Sequence, residues 1–172
     1  MRTLIFGNSG SGKSTLARKL AAEQLAAHLD LDSVAWHPHS PTSRRSLAES
    51  QADIEHFVEA HSRWVIEGCY SSLLALVLPF AEQLIFLNPG IETCQHNCRM
   101  RPFEPHKYSS KQAQDENLAM LLDWVAQYEQ RDDEFSLQAH RRLFDQFHGL
   151  KVEYHDNLPF NAERSATSVS PR

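Results

Sequence analysis

The sequence is poor in cysteine and in positive charge, and it has no long apolar run, and each shortage excludes a class of protein. Its three cysteines, Cys69, Cys94 and Cys98, are an odd number at irregular spacing. They argue against a disulfide framework and favour a reducing compartment. No stretch approaches the roughly eighteen apolar residues of a membrane span, and the apolar run near Met1 ends at Gly7, too early for a signal peptide. We therefore expect a cytoplasmic protein.

The charge balance also limits the partners. Lys and Arg number 17 against 22 Asp and Glu, a formal charge of −5, whereas nucleic-acid binders usually carry a clear positive excess. We expect a small-molecule partner, with neither nucleic acid nor membrane, and the sequence leaves the oligomeric state open. The length of 172 residues suits one domain, which we predict over residues 1–160. The Ser, Thr, Ala and Pro content of residues 161–172 predicts a disordered tail.

Short apolar runs alternate with longer helical patterns along the chain. The runs expected to be buried strands are Thr3 to Phe6, His28 to Leu31, Trp64 to Ile66, Gln83 to Leu87 and Lys151 to Tyr154. The helical stretches are Ser14 to Ala27, Ser46 to His61 with a capping box at its start, Ile91 to Arg101, one from near Asp115 and one ending at Gly149. This alternation predicts an α/β fold of three layers, with helices on both faces of a parallel sheet. Such sheets bind ligands at the carboxyl ends of their strands.

A phosphate-binding motif stands at the end of the first predicted strand. It reads Gly7-Asn8-Ser9-Gly10-Ser11-Gly12-Lys13-Ser14 and matches the pattern G-x-x-x-x-G-K-[ST] between a strand and a helix. Glycines let successive backbone N–H groups surround phosphate oxygens, and the helix start adds its positive dipole end. We expect Lys13 to reach the β- and γ-phosphates, Ser14 to ligate Mg²⁺ and Thr15 to contact the α-phosphate. The motif predicts a nucleoside triphosphate site.

Acidic side chains follow the next two predicted strands. Asp30 and Asp32 occupy alternate positions, which on a strand would point them to the same side. Either carboxylate could orient or deprotonate a substrate hydroxyl, or bind Mg²⁺ through water; a turn or cap role is the alternative for each. Glu67 is followed by Gly68, a pattern in which the acid holds a Mg²⁺-bound water and the glycine lets the ligand approach. A helix-capping role for Glu67 is its alternative.

These motifs resemble those of the adenylate kinase and shikimate kinase group of small-molecule P-loop kinases, particularly the short adenylate kinase-related or topology modulation proteins. The matching segments are Gly7 to Ser14, Leu31-Asp32-Ser33-Val34-Ala35-Trp36 and Trp64 to Tyr70, and the similarity extends in outline over residues 1 to about 157. The resemblance implies a P-loop NTPase fold, a five-stranded parallel sheet in the order 2-3-1-4-5 and a short helical lid. The chain departs from shikimate kinases at Glu67-Gly68-Cys69, where those have a glycine-rich strand end.

The resemblance also implies arginines that neutralise the transferring phosphate from a lid at about residues 99–134. Arg101 is the preferred candidate, with Arg99 and Lys107 behind it and Arg131 at the lid base. Related kinases clamp the acceptor's phosphate or carboxylate near the position of Arg44-Arg45, so we expect an acceptor-binding segment at about 33–62. A surface loop carrying two arginines is the alternative there.

Other candidates favour structural roles. Cys94 and Cys98 share a helix face that His96 cannot join, so we do not expect a metal site from these three residues. His37-Pro38-His39 reads as an exposed loop, and Trp124 and Tyr128 as packing residues. The adenine site is expected near Lys151 to Asn157.

The sequence thus predicts a P-loop small-molecule kinase that uses ATP and Mg²⁺. Its acceptor would bear a hydroxyl or a phosphate, as nucleosides, nucleotides and shikimate-like acids do. The alternative from another class is a nucleotide-dependent regulatory or binding module with slow ATPase activity. A GTPase is less favoured because the chain has no Asn-Lys-x-Asp guanine motif.

Overall fold

Strands and helices alternate along the chain, as the apolar pattern predicts. A computed structural model describes residues 1–38, 40–105 and 108–158, with the backbone alone at 40–42. The strands are β1 (Arg2–Gly7), β2 (Ala27–Asp30), β3 (Trp36–His37), β4 (Ser40–Arg44), β5 (Trp64–Gly68), β6 (Gln83–Leu87) and β7 (Leu150–Tyr154). The helices are α1 (Lys13–Gln24), α2 (Asp32–Ala35), α3 (Leu47–Ala60), α4 (Ser71–Val77), α5 (Ile91–Arg99), α6 (Lys111–Ala126) and α7 (Leu137–Gln146), with a 3₁₀ turn at Leu78–Phe80. The predicted tail at 161–172, His39 and Lys107 lie outside the described residues.

Five strands form one parallel sheet in the order β2-β5-β1-β6-β7. Numbered among themselves in chain order, these strands follow 2-3-1-4-5, so the predicted topology is confirmed. The register sets Ile5 of β1 opposite Glu67 of β5 and Ile85 of β6. The ends of β1, β2 and β5 therefore meet at one edge, where the predicted site residues lie.

The two faces of the sheet carry separate apolar cores, which makes the three predicted layers. Ile5 and Ile85 pack with Leu16 and Ala17 of α1 on one face. Leu4, Phe6 and Phe86 pack with residues of α3, α4 and α7 on the other. Alternate residues of a strand point to opposite faces, so a strand covered on both sides is apolar throughout. Full burial of one such side chain contributes roughly 1.5–3 kcal/mol.

Serine caps set the helix starts. Ser46 and Glu49 form the predicted capping box, with each side chain accepting the other's backbone N–H at 3.3 and 2.9 Å. Ser110 Oγ accepts the N–H of Ala113 at 3.0 Å, so α6 begins at Lys111, four residues before the predicted start. A serine hydroxyl satisfies one of the free N–H groups of a helix start, and this cap was not recognised in the sequence.

A hairpin of two strands and a helix, all between residues 35 and 80, were not predicted. Residues expected as a loop around His37 and Arg44 form an antiparallel hairpin of β3 and β4. Pro38 and the absence of an Asn-Gly or similar turn concealed it. Helix α4 was also missed, because its seven residues include three that are buried against the sheet and show little polar alternation. None of the described helices combines the length and apolarity needed to cross a membrane.

Candidate active site

The phosphate-loop segment, residues 7–14, connects the end of β1 to the start of α1. Gly10 has φ 80° and Gly12, the residue capping α1, has φ 92°, a region that side-chain-bearing residues adopt at a cost. A Cβ on Gly10 would lie 2.3 Å from the carbonyl oxygen of Cys94. Glycine is therefore required at position 10 for both conformation and space. The loop and the first turn of α1 together offer backbone N–H groups to an anion.

Lys13 and Asn8 hold the loop in its shape. Lys13 Nζ donates a hydrogen bond to the carbonyl oxygen of Asn8 at 2.8 Å. Asn8 Oδ1 accepts the N–H of Ser9 at 2.8 Å, and its Nδ2 donates to the carbonyl of Val125 in α6 at 3.1 Å. Asn8 thus ties the loop to the helix that dominates the predicted lid.

Glu67 ends β5 in a buried position beside the loop, with 2 % of its surface exposed. Burial raises the pKa of its carboxyl, but the neighbouring His28 and Ser14 side chains and the positive Lys13 outweigh burial and hold the pKa below its usual value. His28 Nε2 lies 3.8 Å from Glu67 Oε1, and neither atom has a hydrogen-bond partner among the described residues. Glu67 is therefore ionised, with one buried oxygen unsatisfied.

This donor set fits a magnesium ion that keeps most of its water. Mg²⁺ typically takes one or two protein oxygens and completes its shell with water and substrate phosphates. Ser14 and Glu67 lie side by side and line the same cleft as Lys13. Among the described residues, no cluster of three or more His, Cys, Asp or Glu side chains could cage a metal alone. Ser14 and Glu67 would therefore share the ion with water and a nucleotide.

Asp30 and Asp32 both line the cleft, but not as alternate residues of one strand. Strand β2 ends at Asp30, and Leu31 takes a helical conformation (φ −63°, ψ −19°) from which Asp32 starts α2. The predicted strand geometry for this pair is therefore wrong. Asp30 Oδ1 instead accepts the backbone N–H of Asp32 at 2.9 Å, a side-chain-to-backbone bond typical of a turn aspartate. Asp30 thus fixes the backbone that presents Asp32.

Tyr70 and Trp36 continue from Asp32 as a chain of hydrogen bonds. Tyr70 donates its O–H to Asp32 Oδ1 at 2.5 Å, and Trp36 Nε1 donates to the Tyr70 oxygen at 2.8 Å. Burial and the nearby Asp32 charge raise the pKa of Tyr70 far above its ordinary value. The phenol therefore stays protonated and acts as a donor to Asp32.

Gly68 and Cys69 follow Glu67 in the chain. A Cβ on Gly68 would lie 2.8 to 2.9 Å from atoms of the Leu31 side chain, so the missing side chain makes room for Leu31, while Gly68 also lines the cleft. Burial raises the pKa of the Cys69 thiol to about 12, which leaves it a poor nucleophile.

The lid arginines lie in different places. Arg101 lines the cleft and pairs with Glu104 at 3.5 Å. Arg99 is exposed at the end of α5 and borders a small neighbouring cavity of about 30 Å³. Arg131 lies with its guanidinium carbon 3.5 Å from the ring centre of Trp124. The structure brings Arg101 to the cleft and leaves Arg99 beside it.

The predicted arginine pair separates. Arg44, in β4, is bonded to Glu134 at 3.2 Å and lies over the ring of Tyr70 at 4.4 Å. Arg45 pairs with Asp53 of α3 at 2.5 Å, and neither of the two arginines lines the cleft. Adjacent residues of an extended segment point to opposite sides, so Arg44 and Arg45 cannot both face one ligand.

An open cleft of about 1090 Å³ collects most of these residues. Of the predicted site residues, it is lined by Ser9, Gly10, Gly12, Lys13, Ser14, Thr15, Asp30, Asp32, Glu67, Gly68 and Arg101. Gly7, Asn8 and Ser11 belong to the loop behind it. The cleft lies at the carboxyl ends of the strands, where open α/β sheets bind ligands.

Sequence reasoning missed several residues that line the cleft. Arg18, Asn97 and Phe135 were not singled out, and Trp124 was interpreted as a packing residue, although it lines the cleft and is 36 % exposed. Spacing could have indicated Arg18, which follows Ser14 by one helical turn. No local signal points to Phe135, whose position depends on the tertiary fold.

The structure also locates the segment expected to hold adenine and the cysteine and histidine residues of α5. Asn157, at the end of the segment expected to hold adenine, lines the cleft and exchanges hydrogen bonds with Asn97 at 2.8 and 3.2 Å. Cys94 and Cys98 are buried between α5 and α6 while His96 is exposed. Burial raises the pKa of Cys94 to about 11.

Comparison with known proteins establishes the fold. No protein-family model matches the chain, and no curated protein sequence does. A shikimate kinase from Bacteroides thetaiotaomicron is similar at 16% identity and a TM-score of 0.50, over 87% of this chain and 84% of that one. A shikimate kinase from Aquifex aeolicus is similar at 17% identity and a TM-score of 0.50, over 89% and 86%. The chain has the P-loop α/β fold of these structures.

Proposed function

We propose that the protein is an ATP- and Mg²⁺-dependent phosphotransferase, a P-loop small-molecule kinase whose acceptor bears a hydroxyl or a phosphate. The supporting observation is that three strand ends converge on one cleft, where β1 leads to Lys13, β2 to Asp32 and β5 to Glu67. An anion-binding loop, a magnesium ligand and an acceptor-orienting carboxylate are the parts that phosphoryl transfer needs. Within this function, we propose the adenylate kinase-related subgroup, which the motifs of the chain resemble.

The phosphate loop would bind the ATP phosphates. Lys13 Nζ would exchange the carbonyl of Asn8, which it contacts at 2.8 Å, for β- and γ-phosphate oxygens. The charge-assisted bond to phosphate is stronger than the bond to a neutral carbonyl. Ser14 and Glu67 would hold Mg²⁺, which when bound would neutralise negative charge on the ATP phosphates.

Asp32 would act on the acceptor. In the transfer, the acceptor oxygen forms a bond to the γ-phosphorus, the bond from that phosphorus to the β–γ bridging oxygen breaks, and ADP leaves. The hydroxyl proton passes to the Asp32 carboxylate or to solvent. The bond from Tyr70 to Oδ1 at 2.5 Å fixes the carboxylate so that its other oxygen points in a set direction.

Two segments would supply specificity and closure. Residues 33–62 would bind the acceptor, and residues 99–134 would close as a lid and bring Arg101 to the transferring phosphate, with Arg99 in support. The Asn8 bond to Val125 gives the loop a direct contact with α6. Exclusion of water by such a lid protects the phosphoryl group from hydrolysis.

A matched pair of lysine variants tests the nucleotide site. Purified protein is incubated with ATP, Mg²⁺ and a panel of nucleosides, nucleotides, shikimate-like acids and sugars, and ADP and phosphorylated acceptor are quantified. Lys13→Ala should abolish ATP binding and turnover. Lys19→Ala, an exposed position of the same helix, should leave both unchanged.

A matched pair of aspartate variants tests the acceptor step. Asp32→Asn should lower acceptor phosphorylation by about 100-fold or more, the loss expected for a general base, while ATP affinity changes little. Asp145→Asn, exposed on α7, is the control. Slow ADP release that no acceptor accelerates would favour the regulatory module with ATPase activity, and failure to bind ATP would refute both functions.

A further inference from the structure

A continuous series of aromatic rings lines the cleft on the side of Asp32. This aromatic wall consists of Trp36, Tyr70, Phe135 and Trp124, all of which line the cleft. The ring centres of Tyr70 and Phe135 are 5.2 Å apart, and those of Phe135 and Trp124 are 5.1 Å apart, both edge to face. The four residues come from β3, the β5–α4 connection, the α6–α7 connection and α6. The wall is therefore built by the tertiary fold.

The wall begins at the reacting end of the site. Tyr70 contacts Asp32 at 2.5 Å and Trp36 at 2.8 Å. A planar ligand lying along the wall would thus present its near end to Asp32 and Lys13, on the side of the phosphate loop. Its far end would contact Phe135 and Trp124.

Positive charge lies elsewhere in the cleft. Among its described lining residues, the cationic ones are Lys13 and Arg18 of α1 and Arg101 after α5. The wall itself contributes rings, and the two arginines next to it are already paired with acids. Arg44 contacts Glu134 at 3.2 Å, and Arg131 lies 3.9 Å from Asp133.

These arginines also occupy ring faces. Arg44 lies over Tyr70 at 4.4 Å and Arg131 over Trp124 at 3.5 Å. Each guanidinium already supplies the positive charge that its ring attracts, whereas among the described residues no guanidinium lies over Phe135, whose ring can take a planar ligand. The surroundings of the wall therefore suit neither an anionic ligand group nor a cationic one. An anionic group would need an arginine or lysine that is not already paired with an acid.

On the proposed kinase function, we infer that the acceptor is an uncharged compound with a planar ring and a hydroxyl, as in a nucleoside. A phosphomonoester or a carboxylic acid would meet the acidic side chains of Asp30 and Asp32 without a matching cation on the wall, because on the proposed function Lys13 binds the ATP phosphates. Ring stacking on aromatic side chains tolerates different bases, so the wall selects a class of compound.

Binding measurements separate this inference from the proposed function. The protein is first saturated with a non-hydrolysable ATP analogue and Mg²⁺, and binding of that analogue alone tests the nucleotide site. Nucleosides, their 5′-monophosphates, shikimate, gluconate and choline are then titrated by calorimetry. Tighter binding of a nucleoside than of its monophosphate, shikimate, gluconate or choline supports the inference. Preference for any of those four, or binding of none of the nucleosides, overturns it while leaving the nucleotide site intact.

Variants of the wall give a second measurement. Phe135→Leu and Trp124→Leu should each weaken nucleoside binding about 10-fold, the loss expected for one stacking contact, and leave binding of the ATP analogue unchanged. Phe80→Leu removes an aromatic ring that is 37 % exposed outside the cleft and is the matched control. Equal affinity of all three variants and the unmodified protein for the nucleoside would contradict a role for the wall.

Discussion

The burial of the His140 side chain predicts that the folded protein loses stability in weak acid. Its side chain is fully buried, with Nδ1 2.7 Å from the Tyr128 hydroxyl and Nε2 2.8 Å from the Cys69 carbonyl oxygen. A carbonyl can only accept, so Nε2 carries the proton and Nδ1 accepts from the phenol. Burial lowers the pKa of His140 from 6.5 to about 4. The imidazole is neutral in the folded protein at pH 5 and charged in the unfolded chain.

Proton linkage gives the sign and size of the change in the free energy of unfolding. Between pH 6.5 and 4 the unfolded chain binds one more proton at this residue, so the free energy of unfolding falls as the pH falls through that window. The pKa difference corresponds to about 3 kcal/mol in total, of which about 2 kcal/mol is lost between pH 7 and pH 5. Carboxylates with a lowered pKa, such as Glu153, contribute mainly below this window.

Urea unfolding at pH 7 and pH 5, followed by tryptophan fluorescence, measures the effect. His140→Gln keeps a donor for the Cys69 carbonyl but cannot titrate. It should lower stability at pH 7 by about 1–3 kcal/mol and reduce the difference between the two pH values by about 2 kcal/mol. His96→Gln, at an exposed position of α5, should leave that difference unchanged. If His140→Gln loses as much stability from pH 7 to pH 5 as the unmodified protein, the reasoning is refuted.

Two further predictions concern the cleft. Gly10→Ala should weaken ATP binding at least about 10-fold, measured by calorimetry, because the new Cβ would lie 2.3 Å from an α5 carbonyl oxygen and must displace the loop. Gly90→Ala is the control, because Gly90 also has a positive φ but a Cβ there meets nothing within 4 Å, so ATP binding should not change. An equal loss of ATP affinity in the two variants would contradict the clash. Tyr70→Phe removes the phenol that fixes Asp32 and should lower kcat about 10-fold with little change in the KM for ATP; an unchanged kcat in steady-state assays would remove Tyr70 from the positioning of Asp32.

Local patterns in the sequence predicted the structure correctly where that structure depends on neighbouring residues. The turn at residues 7–14 was predictable because the whole motif lies within eight residues, and Gly10 and Gly12 take the positive φ values that the motif requires. Phosphate binding by this turn stays a prediction. The sheet order followed from the resemblance, and the strands themselves from apolar runs. The central strands β1, β5 and β6 are buried as predicted, whereas the edge strands β2 and β7, also predicted as buried, are partly exposed because each has a neighbour on one side only. The capping box at Ser46 was predictable because both of its bonds connect residues three apart.

Local patterns in the sequence failed where a turn or a contact with a distant segment sets the direction of the chain or of a side chain. Alternation predicted a common direction for Asp30 and Asp32, but the helical conformation of Leu31 ends the strand between them. Gly68 lines the cleft, where it was expected to admit a ligand, but no local signal indicated that its missing side chain also accommodates Leu31. The hairpin of β3 and β4 has no strong turn signal, and its bonds depend on where α2 and α3 place its ends.

The sequence alone determined the class of the fold and the glycine-rich turn between β1 and α1, because backbone conformation and strand burial depend largely on neighbouring residues. The tertiary structure decided which side chains share the cleft. It brought Arg101 to the cleft and paired Arg45 with Asp53. It also assembled the aromatic wall from Trp36, Tyr70 and more distant residues. Contacts between segments far apart in the chain depend on how the helices pack on the sheet, and no local pattern encodes that packing.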